Sequence, residues 1–238
     1  MANDWFNFKQ FSIRQDKTPM KVGTDGVLLG AWVDCGQARR VLDVGTGTGL
    51  IALMLAQRFP GVVVDAIELD PDACMQAAEN FMSSPWPSWI NLIREDFIAW
   101  SLQQSPVWDH VVCNPPFFKN SLQSDEEGRN RARHDTSLPL DELVRGAARV
   151  LLPNGSLSMI LPVDRLPDIS KVSLQLGFNL NRIMRIRGTP EAPPKRVLLR
   201  LDRVQTQVEM TDLVIETGGR HGYSAEYLEL TKDFYLFA

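Results

Sequence analysis

An apolar run, Val111, Val112 and Cys113, ends at Asn114 and is followed by Pro115, Pro116, Phe117 and Phe118. These residue types in this order can grip a planar nitrogen compound. The amide oxygen of Asn114 and the backbone carbonyl of Pro115 can each accept one N–H of an exocyclic amine. The prolines restrict the backbone and so aim that carbonyl. Phe117 offers a stacking face, and a base on an aromatic ring gains ~1–3 kcal/mol. Asn before Pro is also an ordinary way to start a turn. The chemical reading gains weight from a second constellation upstream. It comprises Asp43, Gly45, Gly47 and Gly49 in 'LDVGTGTGL', Glu68 and Asp70 in 'IELD', and Asp96 and Phe97 in 'EDF'.

A glycine-rich turn between a strand and a helix lets a ligand approach the backbone closely. Glu68 then stands where a carboxylate can accept hydrogen bonds from both hydroxyls of an adenosine ribose. Asp96 could bond an adenine amine, and Phe97 could pack on the ring. Two cofactors fit such an acid after such a turn: a nicotinamide dinucleotide and S-adenosylmethionine. The dinucleotide spacing is G-x-G-x-x-G, with a pyrophosphate on the helix N-terminus. This chain reads G-T-G-T-G, with Asp43 two residues before it. A carboxylate there repels phosphate and suits the ammonium of a methionine moiety, so S-adenosylmethionine is the expected cofactor. Lys21 and Thr24, with Asp25, precede the fold proper. They read equally as a loop over the methionine end of the cofactor or as the cap of the helix 'GVLLGAW'.

Elements that alternate must position these groups. Strand patterns at 40–44, 62–70, 90–96, 110–114 and 155–162 are separated by helical patterns, including 71–82, 141–151 and 165–176. That alternation predicts an α/β, Rossmann-like fold, a parallel sheet with helices on both faces. The pattern breaks at 178–188 and 195–203, two strands with too few residues between them for a crossover helix. They should form an antiparallel β-hairpin that ends the sheet. One domain over residues 1–238 is expected, with 1–32 as an N-terminal arm covering the cofactor. The polar stretch 119–137 is a candidate lid on the substrate side.

Composition narrows the class. No apolar run approaches the ~20 residues that span a bilayer, and the N-terminus lacks the pattern of a secretory signal. Cys35, Cys74 and Cys113 form no CxxC pair, and His110, His134 and His221 are widely spaced. A soluble cytoplasmic protein with no metal site is expected. The net charge of −4 is unevenly spread: residues 1–128 carry −7, residues 129–203 carry +7 and residues 204–238 carry −4. By charge alone this is a set of solvated faces. Beside an adenine-gripping turn, it reads as a footprint for phosphates. The candidates are Arg129, Arg131 and Arg133 in the loop, and Arg185, Arg187, Lys195 and Arg196 along the hairpin. Arg185 and Arg187 alternate and so can share a strand face. Trp86 and Trp89 receive no function.

These residues resemble the class I S-adenosylmethionine-dependent methyltransferases, in which 'VLDVGTGTG' is similar to the cofactor loop, 'IELD' to the ribose-binding acid and 'NPPF' to the amino-methylating signature. A narrower resemblance covers nearly the whole chain. 'FKQF', 'MKVGTDGVLLGAW', 'LIALMLAQR', 'NPPFF', 'RVLL' and 'YSAEYLELTKDFYLF' resemble the bacterial tRNA1(Val) adenine N6-methyltransferases. The resemblance implies methylation of N6 on the adenine just 3′ of the anticodon, with the anticodon stem-loop as partner and S-adenosylhomocysteine as product. The signature usually ends in Tyr, where this chain has Phe117. The guanine N2-methyltransferases of ribosomal RNA share Phe there, so the tetrapeptide fits both bases and the rest of the chain points to adenine. Other readings are methylation of a protein glutamine amide, a scaffold binding S-adenosylmethionine and RNA without catalysis, and, last, an NAD-dependent oxidoreductase.

Overall fold

The computed structural model describes residues 4–116, 138–219 and 221–238. Two short antiparallel strands, β1 (Trp5–Asn7) and β2 (Ser12–Arg14), lead into helix α1 (Thr24–Trp32). The alternating body follows: β3 (Arg40–Val44), α2 (Leu50–Arg58), β4 (Val63–Glu68), α3 (Pro71–Met82), β5 (Ile90–Arg94), α4 (Phe97–Ser101), β6 (Trp108–Cys113), α5 (Leu140–Val150) and β7 (Leu151–Pro162). The chain ends with α6 (Leu166–Gln175), β8 (Asn179–Arg187), β9 (Arg196–Asp202), β10 (Glu209–Val214) and α7 (Ala225–Thr231).

The main sheet runs in the order β10-β8-β9-β7-β6-β3-β4-β5. β5, β4, β3, β6 and β7 are parallel, whereas β9 is antiparallel to both β7 and β8. The expected hairpin is present. The sheet then continues into β10, a parallel neighbour of β8, which the sequence pattern did not reveal.

Central strands buried on both faces read as continuous apolar runs. Successive residues face opposite layers: Val41, Val112, Ile160 and Leu198 pack with α1, α2 and α3, while Leu42, Val111, Met159 and Leu199 pack with α4, α5 and α6. Within the segment expected as an arm, α1 is a core helix, with every residue from Gly26 to Trp32 buried. The residues before it also contribute to the core, with Phe8, Phe11 and Ile13 buried. They are tied to α3 by Asn80, whose Oδ1 accepts from Arg14 N at 2.8 Å and whose Nδ2 donates to Arg14 O at 3.0 Å and Thr48 O at 2.8 Å.

Candidate active site

Parallel strands end at a common edge, and ligands of open α/β sheets bind outside those carboxyl ends. Here the ends of β3, β4, β5 and β6 bring the glycine loop, Glu68, Asp96 and Asn114 to that edge. Side chains far apart in sequence thus become neighbours because their strands are paired in register: Val44 lies beside Ile67 and beside Cys113.

The loop after β3 is held from below. Asp43 is fully buried, and its Oδ2 accepts from Thr46 Oγ1 at 2.7 Å and from Ala52 N at 3.1 Å. Burial pushes its carboxyl up to about 7, opposed by those two hydrogen bonds. Its Oδ1 is buried without a partner among the described residues. Asp43 therefore shapes the loop from a buried position. Gly45 and Gly47 have φ of 69° and 58°, and a Cβ on either would meet open space. That space is the cradle. Gly49 serves a different end: a Cβ there would come within 2.4 Å of the Phe81 ring.

Glu68 closes the loop from the side. Its Oε2 accepts from Gly47 N at 2.9 Å, and its Oε1 accepts from Leu69 N and Asp70 N, each at 2.9 Å. Asp70 is the N-cap of α3, with Oδ1 accepting from Ala73 N at 2.8 Å. Asp96 likewise caps α4, accepting from Ala99 N at 2.8 Å. Both carboxylates therefore have a structural duty at the site edge. Phe97 is placed differently from the expectation. It is buried at 5% exposure, and its ring lies where a Cβ on Gly146 of α5 would come within 2.5 Å. It is a core residue, not a face for an adenine ring. The exposed apolar side chain at this edge is Leu69, 45% exposed and adjacent to Glu68. Sequence reasoning passed over it because one Leu beside a strand reads as core.

Asn114 follows β6. Its Oδ1 is buried and has no hydrogen-bond partner among the described residues, and Pro115 beside it is buried. The N-terminus of α1 packs here: a Cβ on Gly26 would lie 3.8 Å from Asn114 Nδ2. The cap of α1 is Gly23, with no side-chain bond, so neither Thr24 nor Asp25 caps it. Asp25 instead accepts from Arg196 Nε at 2.8 Å. Lys21 donates from Nζ to the carbonyl of Gln15, and Thr24 is exposed. Phe117, Arg129, Arg131 and Arg133 lie outside the described residues.

Arg185 and Arg187 do share a face, and Asp212 of β10 lies between them. Its carboxylate is 2.5 Å from Arg185 Nη2 and 3.6 Å from Arg187 Nε, and the Arg185 hydrogen bond holds its carboxyl below the usual range. Arg182 faces Glu209 at 3.4 Å in the same way. The acidic C-terminal segment thus folds onto the basic one. Lys195 and Arg196 stand at the same sheet edge as Asn114, because Arg196 pairs with Pro162, the last residue of β7. Among the described residues no group of three or more His, Cys, Asp or Glu could hold a metal ion, and no helix is long and apolar enough to cross a membrane.

Comparison with known proteins agrees with this geometry. The family model described as the methyltransferase small domain matches residues 23–165. A Bacteroides fragilis protein named tRNA1(Val) (adenine(37)-N6)-methyltransferase is 42% identical over 237 residues, 99% of either chain. A Flavobacterium psychrophilum protein of the same name is 43% identical over 232 residues, 97% of this chain and 99% of its own. Among solved structures, a predicted O-methyltransferase from Agrobacterium tumefaciens superposes with a TM-score of 0.69 at 18% identity, covering 88% of this chain and 96% of that one. TrmN from Thermus thermophilus gives 0.50 at 24% identity, covering 70% and 44%. These two show the fold alone. With its methyltransferase domain and its near full-length relatives, the chain belongs to the tRNA1(Val) (adenine(37)-N6)-methyltransferase family.

Proposed function

We propose that this chain transfers a methyl group from S-adenosylmethionine to N6 of adenine 37 in tRNA1(Val), the activity for which its relatives are named. The observation that carries the chemistry is the buried, unpartnered Oδ1 of Asn114 at the end of β6. Buried acceptors are nearly always paired, so an orphan beside a ligand cradle argues for a partner that arrives with the substrate.

The cradle suits S-adenosylmethionine. Open space at Gly45 and Gly47 admits it, Glu68 faces the ribose position, Asp96 and Asp70 flank it, and Leu69 offers an apolar face. When bound, it supplies an electrophilic methyl carbon on a positively charged sulfur. Everything else falls to the protein. Asn114 Oδ1 and the Pro115 carbonyl each accept one N–H of the adenine amine. That draws the nitrogen lone pair out of the ring and makes it nucleophilic, an effect that grows toward the transition state. Sequence assigns the stacking face to Phe117. The nitrogen gains a carbon bond as the carbon–sulfur bond breaks, with the electron pair leaving on the sulfur of S-adenosylhomocysteine. It then sheds one proton to water, so no strong general base is needed. Alignment of the two substrates supplies most of the acceleration. A cytoplasmic setting is part of this reading, since the proposed substrate is a tRNA.

Incubation of the chain with labelled S-adenosylmethionine and unmodified tRNA1(Val) tests the reading. Nucleoside analysis should show N6-methyladenosine at position 37. N2-methylguanosine as the product, or no methylation while the cofactor binds, overturns it.

A further inference from the structure

The edge that carries Asn114 continues across β7 to β9. There it forms a groove of about 440 Å³, lined by residues 162–165 and 194–196. Cys113 pairs with Met159, and Pro162 pairs with Arg196. The groove thus lies two strand spacings from Asn114, about 10 Å across the sheet.

Its charged side chains are mostly cationic. Arg165, Lys195 and Arg196 face one acid, Asp164. The walls are fixed by backbone bonds: Lys195 N donates to Ile186 O at 2.9 Å, and Val163 N donates to Lys195 O at 3.3 Å. Arg196 is anchored by Asp25 at 2.8 Å. The Lys195 ammonium, by contrast, has no hydrogen bond or ion pair among the described residues. Arg165 has only Asp168, at 3.8 Å, and the two side chains are 43% and 72% exposed. An exposed pair of that length adds almost nothing. The neighbouring arginines are engaged elsewhere: Arg185 and Arg187 with Asp212, Arg182 with Glu209 and Arg200 with Asp202.

We propose that this groove seats a backbone phosphate of the tRNA strand flanking the target adenine, with Lys195 and Arg165 as its ligands. The proposal rests on the tRNA reading above. A base turned toward Asn114 leaves its flanking phosphates at the rim of the pocket, and this rim offers an uncommitted ammonium beside a guanidinium. A point charge and a planar fork together suit a phosphate. Such a contact fixes register and carries no base information.

The test measures tRNA affinity of the full chain against salt concentration. The variants are Lys195→Gln, Arg165→Gln, the double variant, and Arg39→Ala as a control from the opposite end of the sheet. Each single groove variant should weaken binding by roughly three- to tenfold and lower the salt slope by about one. KM for tRNA should rise while kcat and S-adenosylmethionine affinity hold, and Arg39→Ala should match wild type. A double variant that keeps the wild-type salt slope overturns the groove, even if methylation is normal. A wild-type chain that binds the tRNA but leaves adenine unmethylated overturns the assigned reaction and is a separate result, because the groove is judged on the binding slope.

Discussion

Among the described residues no donor reaches the buried amide oxygen of Asn114. Asn114→Ala should lower kcat by about 10²–10³-fold, the scale of removing one well-placed hydrogen-bonding group from a transition state. S-adenosylmethionine affinity, measured by calorimetry, should stay within about twofold, since the cradle is built from β3 and β4. A loss of cofactor binding equal to the loss of rate would make Asn114 a structural residue instead. Gly49 offers a second residue-scale expectation. Its φ of 87° disfavours a side chain, and a Cβ would press on Phe81 at 2.4 Å. Gly49→Ala should cost about 3 kcal/mol, from left-handed backbone strain plus overpacking. Denaturant unfolding checks it, and a midpoint equal to wild type would contradict the packing described. The positions of Glu68 and Asn114 at strand ends were legible in the sequence because each closes an apolar run at motif spacing. Phe97 is buried and Leu69 exposed because burial depends on which helix covers a side chain. Here α5 passes over Phe97, and no local pattern encodes that.

Among the elements, the outer strand pair β1–β2 and the residues up to Lys21 depend on α3. Asn80 is 1% exposed and makes three hydrogen bonds, to Arg14 N and O and to the Thr48 carbonyl of the cofactor loop. Gln76 adds an acceptor for Lys17 N at 2.9 Å. Asn80→Ala strands those groups and should lower stability by about 2–3 kcal/mol. Limited proteolysis should then cut first within residues 4–22 and faster than in wild type. Unchanged cleavage would mean that the segment is held by its aromatic contacts, such as Phe8 on Phe11 at 4.7 Å. The parallel strands and the hairpin could be read from apolar runs and connection lengths. β10 could not. Glu209–Val214 mixes polar and apolar residues without strict alternation, and it lies on a sheet edge, so its strand state comes from pairing with β8.

For the whole molecule, two buried groups set opposing pH dependences. His110 lies between Ser156 Oγ at 2.5 Å and Ser158 Oγ at 3.0 Å, and burial pushes it from 6.5 down to about 3. Below pH 6.5 the unfolded chain takes a proton that the folded one refuses, so this group lowers stability by about 1.4 kcal/mol per pH unit on acidification. Asp43 is raised from 3.8 to about 7. Between those values the folded state holds the extra proton, so stability from Asp43 grows as pH falls and is lost as pH rises toward 7. The two slopes oppose each other between pH 6.5 and 5. Asp43→Asn removes one of them. Denaturant unfolding of that variant should show a loss of about 2 kcal/mol from pH 6.5 to 5, with a nearly level wild type. Parallel pH profiles for the two proteins would refute the assignment.

The chain by itself determined the alternation of strands and helices, the glycine loop, the acid after the second body strand and the Asn-Pro-Pro turn. Each is written in local pattern and spacing, because backbone geometry answers to neighbours a few residues away. Tertiary structure alone decided where the charge went. The segment of +7 meets the −4 segment across β8 and β10, so Arg185 and Arg187 close on Asp212. It also closed Asp43 off from solvent and joined Asp25 to Arg196 beside Asn114. The ion pairs join residues 25 (Arg187 to Asp212) to 171 (Asp25 to Arg196) positions apart, and strand order, which no local pattern contains, brings such partners together.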